Sequence, residues 1–244
     1  MTTAVPEDVY LPYLAKLATP TPRPTNTPTR TPLPTATSSW TTLVNTTFEG
    51  DFPGPWQLSE FGDGNYMWAA RTCRPYQGSY SGWSVGGGSD GSNLSCGSQY
   101  PKNAFTWMIY GPFSLVGATQ GDLTFQLWQN VDDDEQDGVF WAASIDNYNY
   151  YGLANFRDVS DWSTKTLDLT DVYHLGNLMG QPQVWVGILF LSDENGHEPE
   201  GSYVDNVVLR KCSSGCVSQA PFAEMHQSTA DQVMKWQRGG RQKP

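Results

Sequence analysis

Asp205 is the residue of this sequence whose chemistry most needs a partner. It lies in the stretch Gly201–Arg210, which reads as one β-strand. Alternate side chains of a strand share a face, so Asp205 is in line with Tyr203, Val207 and Leu209. Burying an unpaired carboxylate among such neighbours costs free energy. The sequence therefore predicts that backbone N–H groups, an arginine or lysine, or a metal ion lies against Asp205.

Aromatic side chains in polar surroundings are the second group that could do chemistry. A ring face packs on the apolar face of a sugar, while nearby Asp, Asn and Gln side chains bind its hydroxyls. The candidates for this role are Trp68, on a predicted strand, and Tyr148, Tyr150 and Tyr151, in one polar loop. The same tyrosines would equally suit contact with a protein. Five other tryptophans are assigned to core packing: Trp56, Trp107, Trp128, Trp162 and Trp185.

The four cysteines fall into two pairs that are close in the sequence, Cys73 with Cys96 and Cys212 with Cys216. Neither pair has the matching histidine or second Cys-x-x-Cys that a zinc site requires. Two disulfides in an exported protein are the better interpretation. We therefore expect an extracellular or cell-surface location.

Two common catalytic motifs are missing from the sequence. There is no HExxH and no phosphate-binding loop. The three histidines, His174, His197 and His226, are too far apart in the sequence to form a metal-ligand motif. A pair of carboxylates for glycoside hydrolysis is the one catalytic arrangement that sequence leaves open. The sequence favours a protein that is not an enzyme.

The net charge of the chain limits the classes of partner that it can bind. Residues 40–212 hold 21 Asp and Glu against 7 Lys and Arg. Such an acidic body argues against binding to nucleic acid or to an anionic membrane. The longest apolar run, Val184–Leu191, is far shorter than the roughly 18 residues of a membrane helix, so we expect no membrane insertion. We also expect a monomer.

The acidic run at 132–138 suits either calcium or a solvated hairpin tip.

The composition changes twice along the chain and divides it into three parts. Residues 1–39 include a Thr/Pro-rich linker, predicted to be disordered and extended. Residues 40–212 carry about nine or ten short strands, separated by turn residues and rich in aromatic side chains. Residues 213–244 read as a polar tail, in which 222–237 form a frayed segment or a weak amphipathic helix. The predicted fold is an all-β, two-sheet antiparallel jelly-roll sandwich with disordered termini.

Several short motifs in the predicted domain together resemble a known domain type. They are Phe48-Glu49-Gly50, Pro55-Trp56, Gly78-Ser79-Tyr80-Ser81, Trp107-Met108, Gly111-Pro112-Phe113, Gln183-Val184-Trp185-Val186 and Tyr203 to Leu209. Through them the chain is similar to the MAM-like and carbohydrate-binding-module-like jelly rolls of secreted bacterial proteins, which are appended to immune-inhibitor-A-type peptidases. The resemblance covers residues 43–211 and rests mostly on core-forming residues.

The resemblance implies a structural calcium ion that ties the first strand to the last. In similar jelly rolls the carboxylate of a Phe-Glu motif and the aspartate of the final strand supply ligands. The matching positions here are Glu49 and Asp205, with backbone carbonyls near Gly78 as a third source. Oxygen ligands of this kind suit calcium.

The function that follows is a non-catalytic extracellular binding module of a bacterial protein, displayed on a Thr-Pro stalk, with carbohydrate as its ligand. A structural or adhesive surface module that binds protein, or nothing specific, is the alternative. An accessory domain of a secreted peptidase is a further one. An exposed aromatic platform with flanking polar groups would separate a binder from a scaffold.

Overall fold

The computed structural model describes residues 39–132, 136–195, 200–216 and 231–238. Most of the predicted Thr/Pro linker and parts of the predicted tail lie outside these ranges. The described chain has twelve strands and one short helix. Their bounds are β1 Trp40–Thr46, β2 Gln57–Glu60, β3 Met67–Arg71, β4 Ser81–Gly87, α1 Gly88–Gly91, β5 Phe105–Phe113, β6 Gln120–Asn130, β7 Gly138–Ser144, β8 Asn149–Asn155, β9 Val159–Asp168, β10 Val184–Leu191, β11 Gly201–Cys212 and β12 Asp231–Gln237.

The fold is an all-β sandwich of two six-stranded antiparallel sheets, as the sequence predicts. The first sheet has the order β3-β4-β11-β6-β9, with β1 also paired to β11. The second sheet has the order β12-β8-β7-β10-β5-β2. In the first sheet, β11 pairs with β6 along most of its length, while β4 and β1 share its other side. The strand that carries Asp205 is therefore central.

The core between the sheets is built by strict alternation along the strands. Leu123, Phe125 and Leu127 of β6 are all buried, which confirms the predicted inner face of that strand. The ring of Phe125 meets Trp141 of the second sheet edge-on, with centroids 5.7 Å apart. Strand β10 lies between β7 and β5 and is buried on both faces, as its continuous apolar run predicts.

The second sheet also carries a buried apolar cluster on the face that points away from the first sheet. It contains Trp107, Phe140 and Leu189, which alternate with residues of the main core. No helix in the described part of the chain has the length and apolar character that crossing a membrane requires.

The C-terminal region departs from its prediction. Residues Asp231–Gln237 form strand β12, which pairs with β8 at the edge of the second sheet. The expectation of a frayed tail or helix is wrong for these residues. An exposed sheet edge offers unpaired N–H and C=O groups, and pairing with it outweighs a weak helical pattern.

Candidate functional site

Asp205 receives its partner from the backbone of a distant turn. Its carboxylate is fully buried, and Oδ2 accepts the N–H groups of Tyr76 at 3.0 Å and Gln77 at 3.1 Å. Oδ1 accepts the N–H of Asn206 at 2.7 Å. The pairing of β11 with β6 is irregular just after Asp205, where Asn206 has a φ of 48°. Of the three partners the sequence left open, the described residues supply backbone N–H groups.

Glu49 holds the other side of the same turn. Its Oε1 accepts the N–H groups of Ser79 and Tyr80, each at 2.8 Å. Gly78 lies between the two anchors with a φ of 78°, and a Cβ there would be 2.4 Å from Glu49 Oε1. Burial raises the pKa of Asp205; its N–H donors oppose the shift and the charge of Glu49 adds to it. Two carboxylates therefore fix residues 76–80 on the first sheet.

A disulfide fixes the loop from which this turn projects. Both predicted disulfides form, Cys73 with Cys96 and Cys212 with Cys216. Beside Cys73, the Arg74 guanidinium lies 3.7 Å from the centroid of the Trp128 ring and pairs with the carboxylate of Glu200. The loop thus covers one part of the outer face of the first sheet and leaves the rest open.

The open part of this outer face carries uncharged polar side chains in cross-strand rows. Strand pairing places Gln126 between Asp205 and Thr164. Residues directly opposite in antiparallel strands share a face, so Gln126 and Thr164 point to the same side as Asp205, whose carboxylate is covered by the turn at Tyr76 and Gln77. Gln126 Nε2 donates to Thr164 Oγ1 at 2.9 Å. At the edge of the loop, Asn206 donates to Gln77 Oε1 at 3.1 Å.

Two aromatic rings stand at one end of these rows. Tyr76 is 47% exposed, and its ring meets the half-buried Trp162 of β9 at an angle of 60°, with centroids 5.6 Å apart. We call this region the Tyr76–Trp162 surface. It consists of Tyr76, Gln77, Gln126, Trp162, Thr164 and Asn206.

The structure buries two of the four aromatic residues predicted to bind a ligand. Trp68 is 1% exposed, and its indole N–H donates to the carbonyl of Thr106 at 3.0 Å. Tyr150 is fully buried in the outer cluster of the second sheet, and its hydroxyl donates to Asn147 Oδ1 at 2.8 Å. Burial raises the pKa of Tyr150 above its usual range. The expectation of an exposed ring is wrong for both, because each ring packs and satisfies its polar atom internally.

The other two predicted residues keep some exposure but do not form a platform with Tyr150. Tyr148 is 52% exposed on a turn held by Asp146. Burial alone would raise the pKa of Asp146, and hydrogen bonds from Asn149, Tyr148 and Ser144 outweigh it and lower the pKa to about 2. Tyr151 is half-buried and stacks on His174, with centroids 4.5 Å apart. Since Tyr150 and Tyr151 are neighbours in β8, their rings point to opposite faces of the sheet.

The sequence analysis missed the surface that the first sheet presents. It assigned Trp162 to packing and did not single out Tyr76. The sequence did contain a signal for the exposure of Trp162, because Trp162, Thr164 and Thr166 alternate with Lys165 and Leu167, which are buried. That alternation places the tryptophan on the solvent side of its strand. Nothing in the sequence indicates that Tyr76 would reach it from another loop.

Comparison with known proteins finds similarity in the fold only. No family model and no curated protein matches the sequence. Two solved structures that resemble it are the K1 and K3 cleaved adhesin domains of Lys-gingipain from Porphyromonas gingivalis W83. Each is 17% identical; the K1 domain has a TM-score of 0.44 over 69% of this chain and 97% of its own, and the K3 domain 0.46 over 70% and 99%.

A third similar structure is a family 11 carbohydrate-binding module from Clostridium thermocellum, in complex with a mixed-linked β-1,3-1,4 tetrasaccharide. It is 12% identical, with a TM-score of 0.40 over 70% of this chain and 94% of its own. At this level of similarity the bound sugar is a property of that protein and carries no argument about the ligand of this one. Inferences about function therefore have to come from the surface itself.

Proposed function

We propose that this chain is a non-catalytic extracellular module that binds carbohydrate through the Tyr76–Trp162 surface. The observation that supports it is the contact of the exposed Tyr76 ring with the half-buried Trp162 ring, beside amide and hydroxyl side chains on an outward sheet face. A sugar presents an apolar C–H face and a rim of hydroxyls, and this surface offers a partner to each. Two disulfides favour an oxidising, extracellular location.

The groups on the surface suit binding better than catalysis. The neighbouring carboxylate, Asp205, is buried under the Tyr76–Gln77 turn and already accepts three backbone N–H groups. Gln126, Thr164 and Asn206 are neutral hydrogen-bonding groups at neutral pH. They can orient a polar ligand but cannot act as the acid and base of glycoside hydrolysis.

Substitution of the two rings tests this proposal. In a glycan-array screen of the full chain, followed by calorimetry on the glycan that binds, we expect Tyr76→Ala and Trp162→Ala each to weaken binding about tenfold, since a stacked ring contributes about 1.4 kcal/mol. Tyr148→Ala is the matched control, because it removes an exposed tyrosine from the turn between β7 and β8 of the second sheet. It should leave the affinity unchanged.

Two outcomes would contradict the proposal. Silence across the array, with the protein folded by circular dichroism, would favour a structural module or one that binds protein. Binding that Tyr148→Ala abolishes and Tyr76→Ala does not would move the site to the loop that the sequence analysis favoured.

We further propose that calcium occupies the region between Glu49 and Asp205. Among the described residues, no group of three or more His, Cys, Asp and Glu side chains is arranged to hold a metal. An ion here would therefore need main-chain oxygens or water besides the two carboxylates. The chemistry fits in two respects. Both donors are oxygens, and burial raises the pKa of Asp205 with a further contribution from the charge of Glu49, a shift that a nearby cation would oppose.

The calcium proposal predicts a melting temperature that depends on a chelator. EDTA should lower it by about 3 °C or more, and excess calcium should restore it, because an ion bound only by the folded state stabilises that state. Glu49→Gln is the control: its melting temperature should no longer respond to EDTA. An identical melting temperature for the parent protein with EDTA and with calcium would remove the metal from this region.

A further inference from the structure

We propose that the ligand of the Tyr76–Trp162 surface is an extended, uncharged glycan chain that runs along the first sheet as far as Trp40. This inference rests on the proposed function and adds the length, direction and charge of the ligand. It is carried by the register of the first sheet, which continues the polar rows well beyond the aromatic pair.

The rows of the outer face follow one another without interruption along β11, β6 and β9. Next to the row that contains Gln126, pairing brings Val208, Thr124 and Thr166 side by side. All three are partly exposed. The following row joins Arg210 of β11 to Asp122 of β6 and Asp168 of β9.

A second aromatic group closes the far end of these rows. The Arg210 guanidinium lies 4.3 Å from the centroid of the Trp40 ring. Its Nε and an Nη atom donate to the two carboxylate oxygens of Asp122 at 2.9 and 3.1 Å. Trp40 is half-buried, so part of its ring system remains open to solvent. The outer face thus carries an aromatic group at both ends.

The distance between the two ends sets the length of the ligand. From Trp162 to Asp168, which pairs with Asp122, is six residues along β9, or about 20 Å at the rise of a β-strand. One sugar ring cannot touch both ends. A linear chain that crosses the sheet obliquely, from β9 over β6 and β11 toward β1, would stack on Trp162 at one end and meet Arg210 and Trp40 at the other.

The charges along this path favour a neutral ligand. The rows between the ends contain threonine, glutamine and valine, and their one carboxylate, Asp205, is buried under the turn at Tyr76 and Gln77. At the far end the charge of Arg210 is neutralised by Asp122. Since the body of the chain is acidic, a glycan bearing carboxylates or sulfates would be repelled and would find no unpaired cation on this path.

The test is a chain-length series measured by calorimetry with the full chain. The probes are cello-, xylo- and manno-oligosaccharides of two to six units, with oligogalacturonides as the acidic comparison. We expect affinity to rise with length in one neutral series and then level off, and the acidic series to bind at least tenfold more weakly. Trp40→Ala should weaken binding of the longest oligosaccharide about tenfold and leave the disaccharide unchanged.

Thr166→Val provides a second variant that keeps the fold. It removes one hydroxyl in the middle of the path while preserving shape and β-propensity. It should weaken the longer oligosaccharides and leave the disaccharide unaffected. Melting temperatures of both variants establish that they are folded.

The possible failures separate the two proposals. No binding of any probe by a folded protein would overturn the proposed function, and this inference with it. Affinity that is independent of length, or unchanged in Trp40→Ala and Thr166→Val, would overturn only the extended path and leave a single-ring site at Tyr76. Tighter binding of the acidic series would overturn the neutral ligand.

Discussion

Asp205→Ala is expected to lower the free energy of unfolding by about 3 kcal/mol, because it removes a buried acceptor of three backbone hydrogen bonds. Hydrogen bonds to a charged group contribute more than neutral ones, but part of that gain is offset by the cost of burying the charge. The raised pKa of Asp205 is a sign of that cost. The amides of Tyr76 and Gln77 would lose their acceptor, so the turn that carries both side chains should loosen.

Urea denaturation of the full chain measures this effect, with hydrogen exchange of the Tyr76 and Gln77 amides as a local readout. Asp161→Ala is the matched control, because it removes an exposed aspartate from β9 of the same sheet. The control should unfold at the parent urea concentration. A loss below about 1 kcal/mol in Asp205→Ala, with unchanged exchange, would show that this carboxylate does not anchor the turn.

The sequence predicted the layers of the fold because their physical signal is local. Alternation along Leu123, Phe125 and Leu127 identifies an inner face without knowledge of any other strand. The continuous apolar run Val184–Leu191 identifies a strand buried on both sides in the same way. The cysteine pairs were also predictable, since the members of each pair are close in sequence and lack the further ligands of a zinc site.

The partner of Asp205 was not predictable, because the groups that bind it are distant in sequence. The N–H donors of Tyr76 and Gln77 lie 129 and 128 residues away. Backbone N–H groups are present in every non-proline residue and leave no mark in the sequence. The sequence therefore predicted that Asp205 needs a partner but could not distinguish backbone N–H groups from a basic side chain or a metal ion.

The exposed aromatic residues were predicted least well, because exposure depends on what packs over a face. Trp68 and Tyr150 lie among polar residues in the sequence, yet Trp68 packs in the main core against the Thr106 carbonyl of β5. Tyr150 packs in the outer apolar cluster with its hydroxyl on Asn147. Tyr76 and Trp162 come from separate parts of the chain and meet only because a loop folds over the first sheet. Residue type alone does not distinguish these two situations.

Removing the Cys73–Cys96 disulfide should cost about 3 kcal/mol of unfolding free energy, given its sequence separation of 23 residues. The Cys212–Cys216 disulfide closes a loop of separation 4 and should contribute about 2 kcal/mol. The double variants Cys73→Ala/Cys96→Ala and Cys212→Ala/Cys216→Ala form a matched pair, since both remove one disulfide from the same chain. Urea denaturation gives the two values.

The two double variants should differ more in the mobility of the Tyr76–Trp162 surface than in their free energy of unfolding. Cys73 is adjacent to Arg74, whose contacts with Trp128 and Glu200 close the loop over the sheet, and the same loop carries Tyr76. Faster hydrogen exchange at the Tyr76 amide is therefore expected in Cys73→Ala/Cys96→Ala and not in Cys212→Ala/Cys216→Ala. Equal exchange in both would mean that Asp205 and Glu49 hold the turn without help from the disulfide. Slower sugar dissociation in Cys73→Ala/Cys96→Ala would contradict a preformed site. A more mobile loop should hold the Tyr76 ring less firmly and so weaken the binding of a ligand that stacks on it.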